Sequence, residues 1–571
     1  MKRNLAALTE KEFDLIIVGG GIFGICAAWD AVLRGLSVAL VEQGDFAGAT
    51  SANCFKMVHG GLRYLQHADF YRMRESNREL NSLLRIAPHQ VSPLPIAIPT
   101  YGHGMQSKQV LRLALHIYDL ITFDRNRGLN DPDRRVPPPR VISRQECIAL
   151  FPGVHREGLT GAVIFHDGHM YSPPRLGLSY LKSAVEAGAV AANYVEAIDF
   201  VRRDGRVSGI QARDVLSGEE FAIIGKLVLN TAGPWAEQLL KRRTGLHLRP
   251  PLSYSRDACF VVARPLLERY ALAVQGRTRD PDAILNRGHR HLFLVPWREH
   301  TLIGVWHVVY TGLPGEFTVT ETELKRFLDE INQAYPPLSL ELKDVALWHA
   351  GLVPFGENES GAADLSYGKR SHLIDHAKEH GVEGLISVIG VRYTTSRGVA
   401  ERALNLVFRK LGRRTPKSVT ATTPIYGGRI ERFAEFQRAA VDNRPTALTP
   451  RVMQALVHNH GSAYKEVLQY LDDPRWRGTL DTSPVLKAEV VHAVREEMAQ
   501  RLADVVFRRT DLGTGGYPGS TALMQCVEVM ASELGWTENR VRRELEGVMS
   551  VFPSHIGSAD RQVQRTPLSL A

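Results

Sequence analysis

Four apolar runs stand out along the chain: residues 13–18 (FDLIIV), 37–41 (SVALV), 227–229 (LVL) and 385–389 (LISVI). Such runs are typical of parallel strands that are buried on both faces of a sheet. Residues 22–34, between the first two runs, carry helix formers at helical spacing. The pattern predicts an α/β fold that opens with strand, helix and strand, and that is completed by segments far along the chain.

A glycine motif joins the first predicted strand to the helix. Gly19, Gly21 and Gly24 are spaced G-x-G-x-x-G, and Glu42 closes the second strand. These glycines permit a tight turn, a close approach of the backbone to a pyrophosphate, and close packing of helix on strand, while the carboxylate accepts hydrogen bonds from a ribose diol. The unit predicts a dinucleotide site. The motif alone leaves FAD and NAD open, and a glycine-rich turn of an unrelated α/β protein is the alternative.

The next segment, residues 48–64 (GATSANCFKMVHGGLRY), is rich in small and hydroxyl side chains. We expect Thr50 and Ser51 to bond phosphates and ribityl hydroxyls, and Lys56 to place a positive charge near a reduced flavin, which is anionic. The alternative is an ordinary turn with a solvated Lys56 and a structurally satisfied His59.

Two later segments also end predicted strands with glycine. Residues 226–235 (KLVLNTAGPW) include Gly233, and residues 385–395 (LISVIGVRYTT) include Gly390 and Thr394. Open α/β sheets bind ligands at the carboxyl ends of their strands, so we expect these residues to contact the cofactor, with Gly390 close to the isoalloxazine ring. The cofactor domain is therefore predicted to be discontinuous, with a substrate domain inserted between its parts.

The composition of the chain limits which classes of protein it can belong to. The chain has 571 residues, a net charge of +9 and five cysteines without a CxxC pair. We predict no metal site, no nucleic-acid partner, no membrane-spanning helix and no secretion signal, and therefore a cytoplasmic protein. The positive charge suits a solvated surface, an anionic small-molecule substrate or an anionic membrane face.

Several motifs together carry a resemblance: DLIIVGGGIFG, GATSANCFKMVHGGLRYL, APHQVSPLPIAIP, LNTAGPWAE, FLVPW and VIGVRYTT. They resemble the FAD-dependent glycerol-3-phosphate dehydrogenases, within the glycine-oxidase-like flavoproteins, over residues 12–510. Residues 490–510 (VVHAVREEMAQRLADVVFRRT) resemble the helical C-terminal domain of that family.

The resemblance implies an α/β fold with a discontinuous Rossmann-type FAD-binding domain, an inserted antiparallel-sheet substrate domain and a helical C-terminal domain. We predict FAD-binding parts at residues 12–75, 161–240 and 376–415, substrate or cap parts at 76–160 and 241–375, and the helical domain at 420–555.

It also implies an activity, in which a hydride passes from C2 of sn-glycerol 3-phosphate to flavin N5 and gives dihydroxyacetone phosphate. The electrons then pass to quinone or oxygen. His59 is the candidate base for the C2 hydroxyl proton, Arg290 and Arg370 match family arginines near the substrate, and Arg392 stands where the family has a lysine. A peripheral position on the inner face of the membrane and a homodimer are further expectations.

The chain departs from the family at the substrate end. A family arginine is replaced by Val353, and the family segments G-T-T-D and G-S-H are replaced around His307 and Asp257. Two explanations stay open: Arg256, Arg370 and Arg392 rebuild a phosphate site, or the pocket accepts another hydroxyl or amine substrate. A flavin-binding protein without turnover is a third reading.

Overall fold

The computed structural model describes residues 1–61, 69–102, 108–244, 253–277, 291–355 and 371–555. Its strands, in chain order, are β1 Phe13–Val18, β2 Val38–Glu42, β3 Met57–Val58, β4 Val91–Tyr101, β5 Arg140–Ser143, β6 Leu159–Met170, β7 Val190–Asn193, β8 Val195–Arg203, β9 Arg206–Asp214, β10 Glu220–Asn230, β11 Ser253–Val262, β12 Ala271–Gln275, β13 His291–Trp297, β14 His300–Tyr310, β15 Val345–Phe355, β16 His372–Asp375 and β17 Leu385–Ile389.

The helices are α1 Ile22–Leu33, α2 Ala49–Ala52, α3 Phe70–Ile86, α4 Lys108–Ile121, α5 Arg144–Leu150, α6 Pro173–Glu186, α7 Ala236–Thr244, α8 Glu321–Ala334, α9 His376–His380, α10 Ser396–Lys410, α11 Phe433–Asp442, α12 Pro450–His460, α13 Lys465–Leu468, α14 Lys487–Glu496, α15 Leu502–Asp504, α16 Ser520–Leu534 and α17 Glu538–Met549. No helix among the described residues is long and apolar enough to cross a membrane.

The four apolar runs form one sheet. Its order is β16-β17-β10-β1-β2-β7, and β1 pairs in parallel with both β10 and β2. The six residues of β1 are all buried, because helices α1, α6 and α10 pack together on one face of the sheet while β8 and β9 extend from its other side. The predicted discontinuous Rossmann-type domain is confirmed, since strands from three distant parts of the chain lie side by side.

A second sheet forms the inserted domain, in the order β15-β11-β14-β13-β12-β4-β6-β3 with β5 on β6. Its pairings are antiparallel except for β12 with β4. The predicted boundary at residue 161 falls inside β6, which belongs to this sheet, and the first sheet resumes only at β7. Periodicity could not place this boundary because residues 161–165 (GAVIF), inside β6, form an apolar run like those of the cofactor domain.

The C-terminal domain is helical, as predicted. Its helices α14, α16 and α17 pack against one face of the second sheet in a shared apolar core that includes Trp297, Leu302, Leu347, Val490 and Val527. This packing fixes the C-terminal domain against the second sheet.

Candidate functional site

A large cavity of about 1330 Å³ lies where the carboxyl ends of the parallel strands meet the second sheet. Its wall includes Gly19 after β1, Glu42 at the end of β2, Gly233 after β10 and Gly390 after β17. Segments that are far apart in the sequence therefore line one cavity. This cavity lies at the edge of the sheet where open α/β sheets bind ligands.

The glycine turn is built for close approach. Gly19 has φ +106°, and a Cβ on Gly24 would lie 2.0 Å from the Gly19 carbonyl oxygen. Glu42 accepts hydrogen bonds from the backbone N–H groups of Gly20 (2.7 Å) and Gly44 (2.8 Å), and burial raises the pKa of its carboxyl. The structure brings Gly19, Gly21 and Glu42 to the cavity wall, and places Gly24 behind it as a packing residue.

Further predicted cofactor residues continue along the same wall. Thr50, Ser51, Gly233, Gly390 and Thr394 all line the cavity. The Ser51 hydroxyl accepts a hydrogen bond from the Ile22 N–H at the start of α1 (3.0 Å). A Cβ on Gly390 would lie 2.0 Å from the Phe23 ring, so this position has no room for a side chain. The residues present suit a long, flat dinucleotide that approaches the backbone closely.

His59 lies on the wall beside a carboxylate. Its Nδ1 is 3.1 Å from Asp167 Oδ2, and the other Asp167 oxygen accepts from the Gly60 N–H (2.7 Å). The His59 N–H donates to the Thr394 hydroxyl (3.2 Å), so the histidine sits next to the segment after β17. Its side chain is 47% exposed, into the cavity. A buried carboxylate that binds one imidazole nitrogen orients the ring and leaves the other nitrogen for chemistry.

Asp167 was missing from the sequence prediction. It lies on β6 in the segment FHDGHM, more than 100 residues from His59, and nothing in its local pattern marks it. Only the antiparallel pairing of β3 with β6 brings the two side chains together.

Of the three arginines that the sequence predicts near the substrate, the structure describes Arg392. Arg392 lines the cavity and lies 3.6 Å from Glu75, which also binds Arg402 at 2.8 Å. Arg290 and Arg370 lie outside the described residues. Their predicted roles at the substrate stay predictions.

Lys56 does not line the cavity. The residue is buried, its amine has no hydrogen-bond partner among the described residues, and its Nζ lies 4.6 Å from the Trp297 ring. Burial lowers the pKa of this amine. The structure does not bring the amine to the cavity wall, so it gives no support to the predicted contact with FAD.

Three of the departures from the family pattern meet on one wall. On the neighbouring strands β15, β11 and β14, the residues Val353, Asp257 and His307 all line the cavity. His307 Nδ1 is 2.7 Å from Asp257 Oδ1, so two of these departures form a direct contact. Arg256, expected to rebuild a phosphate site, is instead buried and bonds to Glu323 and to the Thr318 carbonyl.

Comparison with known proteins decides the family. The model of FAD dependent oxidoreductases matches residues 14–402, and the model of the C-terminal domain of alpha-glycerophosphate oxidase matches residues 418–541. The chain belongs to the FAD-dependent glycerol-3-phosphate dehydrogenase family. It is an FAD-dependent oxidoreductase.

Individual relatives of this family member cover nearly its whole length. A glycerol-3-phosphate dehydrogenase of Synechocystis is 30% identical over 95% of this chain and 97% of its own. The human mitochondrial glycerol-3-phosphate dehydrogenase is 28% identical over 99% of this chain and 76% of its own. The structure of the Bacillus halodurans glycerol-3-phosphate dehydrogenase, solved with FAD, has a TM-score of 0.73 at 24% identity and covers 96% of this chain, which confirms the fold.

Proposed function

We propose that this enzyme oxidises sn-glycerol 3-phosphate to dihydroxyacetone phosphate and passes the electrons to a quinone. The names of its relatives support the substrate. The observation that carries the proposal is the His59–Asp167 pair on the wall of the cofactor cavity, hydrogen-bonded through its backbone to Thr394. An alcohol loses a hydride only as its hydroxyl proton leaves, so the reaction needs a positioned base of this kind.

The chain's own residues supply the proton chemistry. Bound FAD supplies the hydride acceptor. Asp167 accepts a hydrogen bond from Nδ1–H of His59, which leaves Nε2 as the nitrogen that takes the proton of the C2 hydroxyl. The negative charge of Asp167 then stabilises the imidazolium that forms. The neighbouring Gly60 N–H holds the second oxygen of Asp167 in place, so the carboxylate does not rotate away.

Recognition of the phosphate falls to cationic side chains. Arg392 on the cavity wall is the candidate within the described residues, and Arg290 and Arg370 are proposed to join it. A guanidinium makes paired hydrogen bonds with phosphate oxygens, which Val353 is unable to provide.

Anaerobic mixing of the purified holoprotein with glycerol 3-phosphate tests the proposal. We expect the flavin absorbance to bleach rapidly. Asn in place of His59 removes the base, and we expect the rate of bleaching to fall by roughly 10²–10⁴-fold. His116→Asn is the matched control, because His116 is exposed on α4 and does not line the cavity. Bleaching of the His59→Asn variant at the rate of the unaltered protein would show that another group takes the proton.

A second candidate function is supported by the altered wall. Because Val353, Asp257 and His307 lie on adjacent strands, the changes that the sequence shows fall on one part of the cavity. We propose oxidation of another hydroxyl or amine substrate as the alternative. A panel of such compounds distinguishes the two: bleaching by one of them, and none by glycerol 3-phosphate, favours the alternative. If only a chemical reductant bleaches the flavin, the protein is a flavin-binding protein without turnover.

Contact with a membrane, where quinones reside, is proposed to involve one apolar surface. Tyr71 at the start of α3 and Leu120 and Phe123 at the end of α4 are 58%, 76% and 77% exposed. Arg74 joins the two elements: it donates to the Ile121 carbonyl (2.7 Å) and to Asp124, and lies over the Phe123 ring. Large exposed apolar groups clustered on a surface are typical of interaction sites.

Flotation with anionic liposomes tests this surface. We expect the protein to float with the vesicles and the Leu120→Ser/Phe123→Ser variant to remain at the bottom. Val419→Ser is the control, since Val419 is exposed at a different place in the chain. Equal flotation of all three proteins would contradict this docking surface, and quinone reduction is then measured separately with a soluble analogue.

A further inference from the structure

The end of the cofactor cavity beside Glu42 is closed by a residue of the C-terminal domain. Arg508 lines the cavity together with Gly44, Asp45 and Val195, although it follows Asp45 by 463 residues. Its side chain is 16% exposed, so the guanidinium is mostly enclosed by protein at the cavity edge.

Two carboxyl groups hold this guanidinium in place. Arg508 Nε donates to Asp45 Oδ2 (2.5 Å) and Nη2 donates to Asp504 Oδ1 (2.6 Å). Nη1 bonds to no described residue. The group is therefore fixed on two sides and keeps one nitrogen as an unused donor at the cavity.

The backbone beside Glu42 is fixed by the same contacts. Asp45 also accepts two hydrogen bonds from Arg509 (2.6 and 2.7 Å), and the charges of Arg509 and Arg508 outweigh its burial and hold its pKa at about 2. Tyr194 donates through its N–H to the Gly44 carbonyl (2.9 Å) and through its hydroxyl to Asp504 (2.6 Å). The Gly44 N–H is one of the two donors that orient Glu42.

We propose that Arg508 is an FAD-binding residue contributed by the C-terminal domain, which donates from Nη1 to the adenosine end of the cofactor. The inference rests on the predicted position of the adenosine ribose at Glu42. The two guanidinium groups face the carboxyl groups of Asp45 and Asp504, and Glu42 adds a third carboxyl, so this end of the cavity suits a neutral purine and ribose rather than a phosphate. Binding of FAD and docking of the C-terminal domain are then linked, and each strengthens the other.

Titration of the full-length apoprotein with FAD tests the proposal. For Arg508→Ala we expect the Kd for FAD to rise about tenfold, which corresponds to the loss of one charge-assisted contact. Arg508→Lys keeps the charge but has a single nitrogen and a shorter reach, so we expect an intermediate Kd. Arg495→Ala is the control, because Arg495 pairs with Glu533 within the C-terminal domain and does not line the cavity. The Kd of this variant for FAD should equal that of the unaltered protein.

Two further measurements separate binding from folding. We expect the same loss of affinity with ADP, which carries the adenosine end alone. We expect the melting temperature of the Arg508→Ala apoprotein to fall as well, because Asp504 then loses a buried cationic partner. Glu42→Gln reports on the position of the ribose and should weaken ADP as well. An unchanged Kd for both ligands in Arg508→Ala overturns the proposal. A lower apoprotein melting temperature without a change in Kd also overturns it, because Arg508 then serves only the domain interface. If Arg508→Ala fails to fold, the Arg508→Lys variant decides the question in the same way.

Discussion

At the scale of single residues, the fold buries an amine that no described residue satisfies. Lys56 is 3% exposed, has φ +61°, and its Nζ has no hydrogen-bond partner among the described residues. His169 and His349, whose pKa values burial also lowers, carry unsatisfied ring nitrogens near it. A buried amine without a partner among the described residues destabilises the folded state, because burial disfavours its charged form.

Lys56→Met is therefore expected to stabilise the apoprotein. The lowered pKa of Lys56 means that the unfolded chain binds more protons, so the destabilisation is complete below the lowered pKa and fades as the pH rises toward the ordinary lysine value. We expect a gain of roughly 2 °C in melting temperature at pH 7. Thermal melts at pH 7 and pH 9.5 check this, and a gain that grows with pH would contradict a lowered pKa of Lys56.

The His307–Asp257 contact gives a second prediction at this scale. Both side chains line the cavity, on β14 and β11, whereas His59 and Asp167 form their own pair on another part of the wall. We expect His307→Asn and Asp257→Asn each to weaken binding of the bleaching substrate, with little change in the limiting rate of flavin reduction.

The substrate Kd of the double variant should not exceed the higher of the two single-variant values, because the effects of substitutions at residues in contact do not add. Stopped-flow titration of the four proteins measures the coupling. Additive effects would show that the two residues act separately.

At the scale of elements, the junction of β1 and α1 depends on the absence of side chains. Besides the close approach to Gly19, a Cβ on Gly24 would lie 2.6 Å from the Thr231 hydroxyl, so helix and strand would have to separate. This is the physical reason for the third glycine of the motif.

Gly24→Ala is expected to lower stability by about 1–3 kcal/mol and to release FAD. Gly547→Ala is the matched control, since Gly547 lies within α17 with nothing near its missing Cβ. There the substitution should stabilise the helix by about 0.5–1 kcal/mol. Denaturant unfolding and flavin fluorescence measure both. Retention of FAD at full stability in Gly24→Ala would disprove the close packing.

The same elements show what sequence could and could not predict. The strands near Phe13, Val38 and Leu385 and the glycine turn were predicted because burial on both faces and positive φ restrict the residue types. Asp167 and Arg508 were not, because each reaches the cavity only through pairing or packing between segments distant in the chain. The predicted boundary at residue 161 was wrong because an apolar run, residues 161–165, lies inside β6, and only strand pairing shows which sheet it belongs to.

At the scale of the whole molecule, a buried ionic cluster joins the cofactor domain to the C-terminal domain. Arg175 and Lys182 on α6 contact Glu497, at 2.6 and 3.6 Å. His460 and His492 complete the cluster, and with Glu497 they offer ligand atoms within 4.8 Å of one another, an arrangement that a metal ion could use. Arg175 bonds to His460, and Lys182 bonds to His492. Two cations therefore already lie beside these ligand atoms, and the cluster acts as a contact between domains.

Glu497→Ala is expected to destabilise the protein by about 3–5 kcal/mol, because it leaves two buried cations without their anion. Glu533→Ala is the control, since its partner Arg495 is 44% exposed, and its effect should stay below about 1 kcal/mol. Urea unfolding followed by Trp fluorescence compares the two. Similar losses would show that the cluster is not the main ionic contact between the domains.

The order of strands in the first sheet has a consequence for synthesis. β1 lies in the centre of that sheet, yet its neighbour β10 ends at Asn230 and the strand beyond it, β17, ends at Ile389. On the ribosome, an apolar segment translated at the outset waits for more than 200 residues, about 10–40 s, before its second partner emerges. The nascent chain thus exposes a strand that is buried on both faces in the folded protein, and its yield in cells should depend on chaperones and on translation speed more than the stability of the finished enzyme suggests.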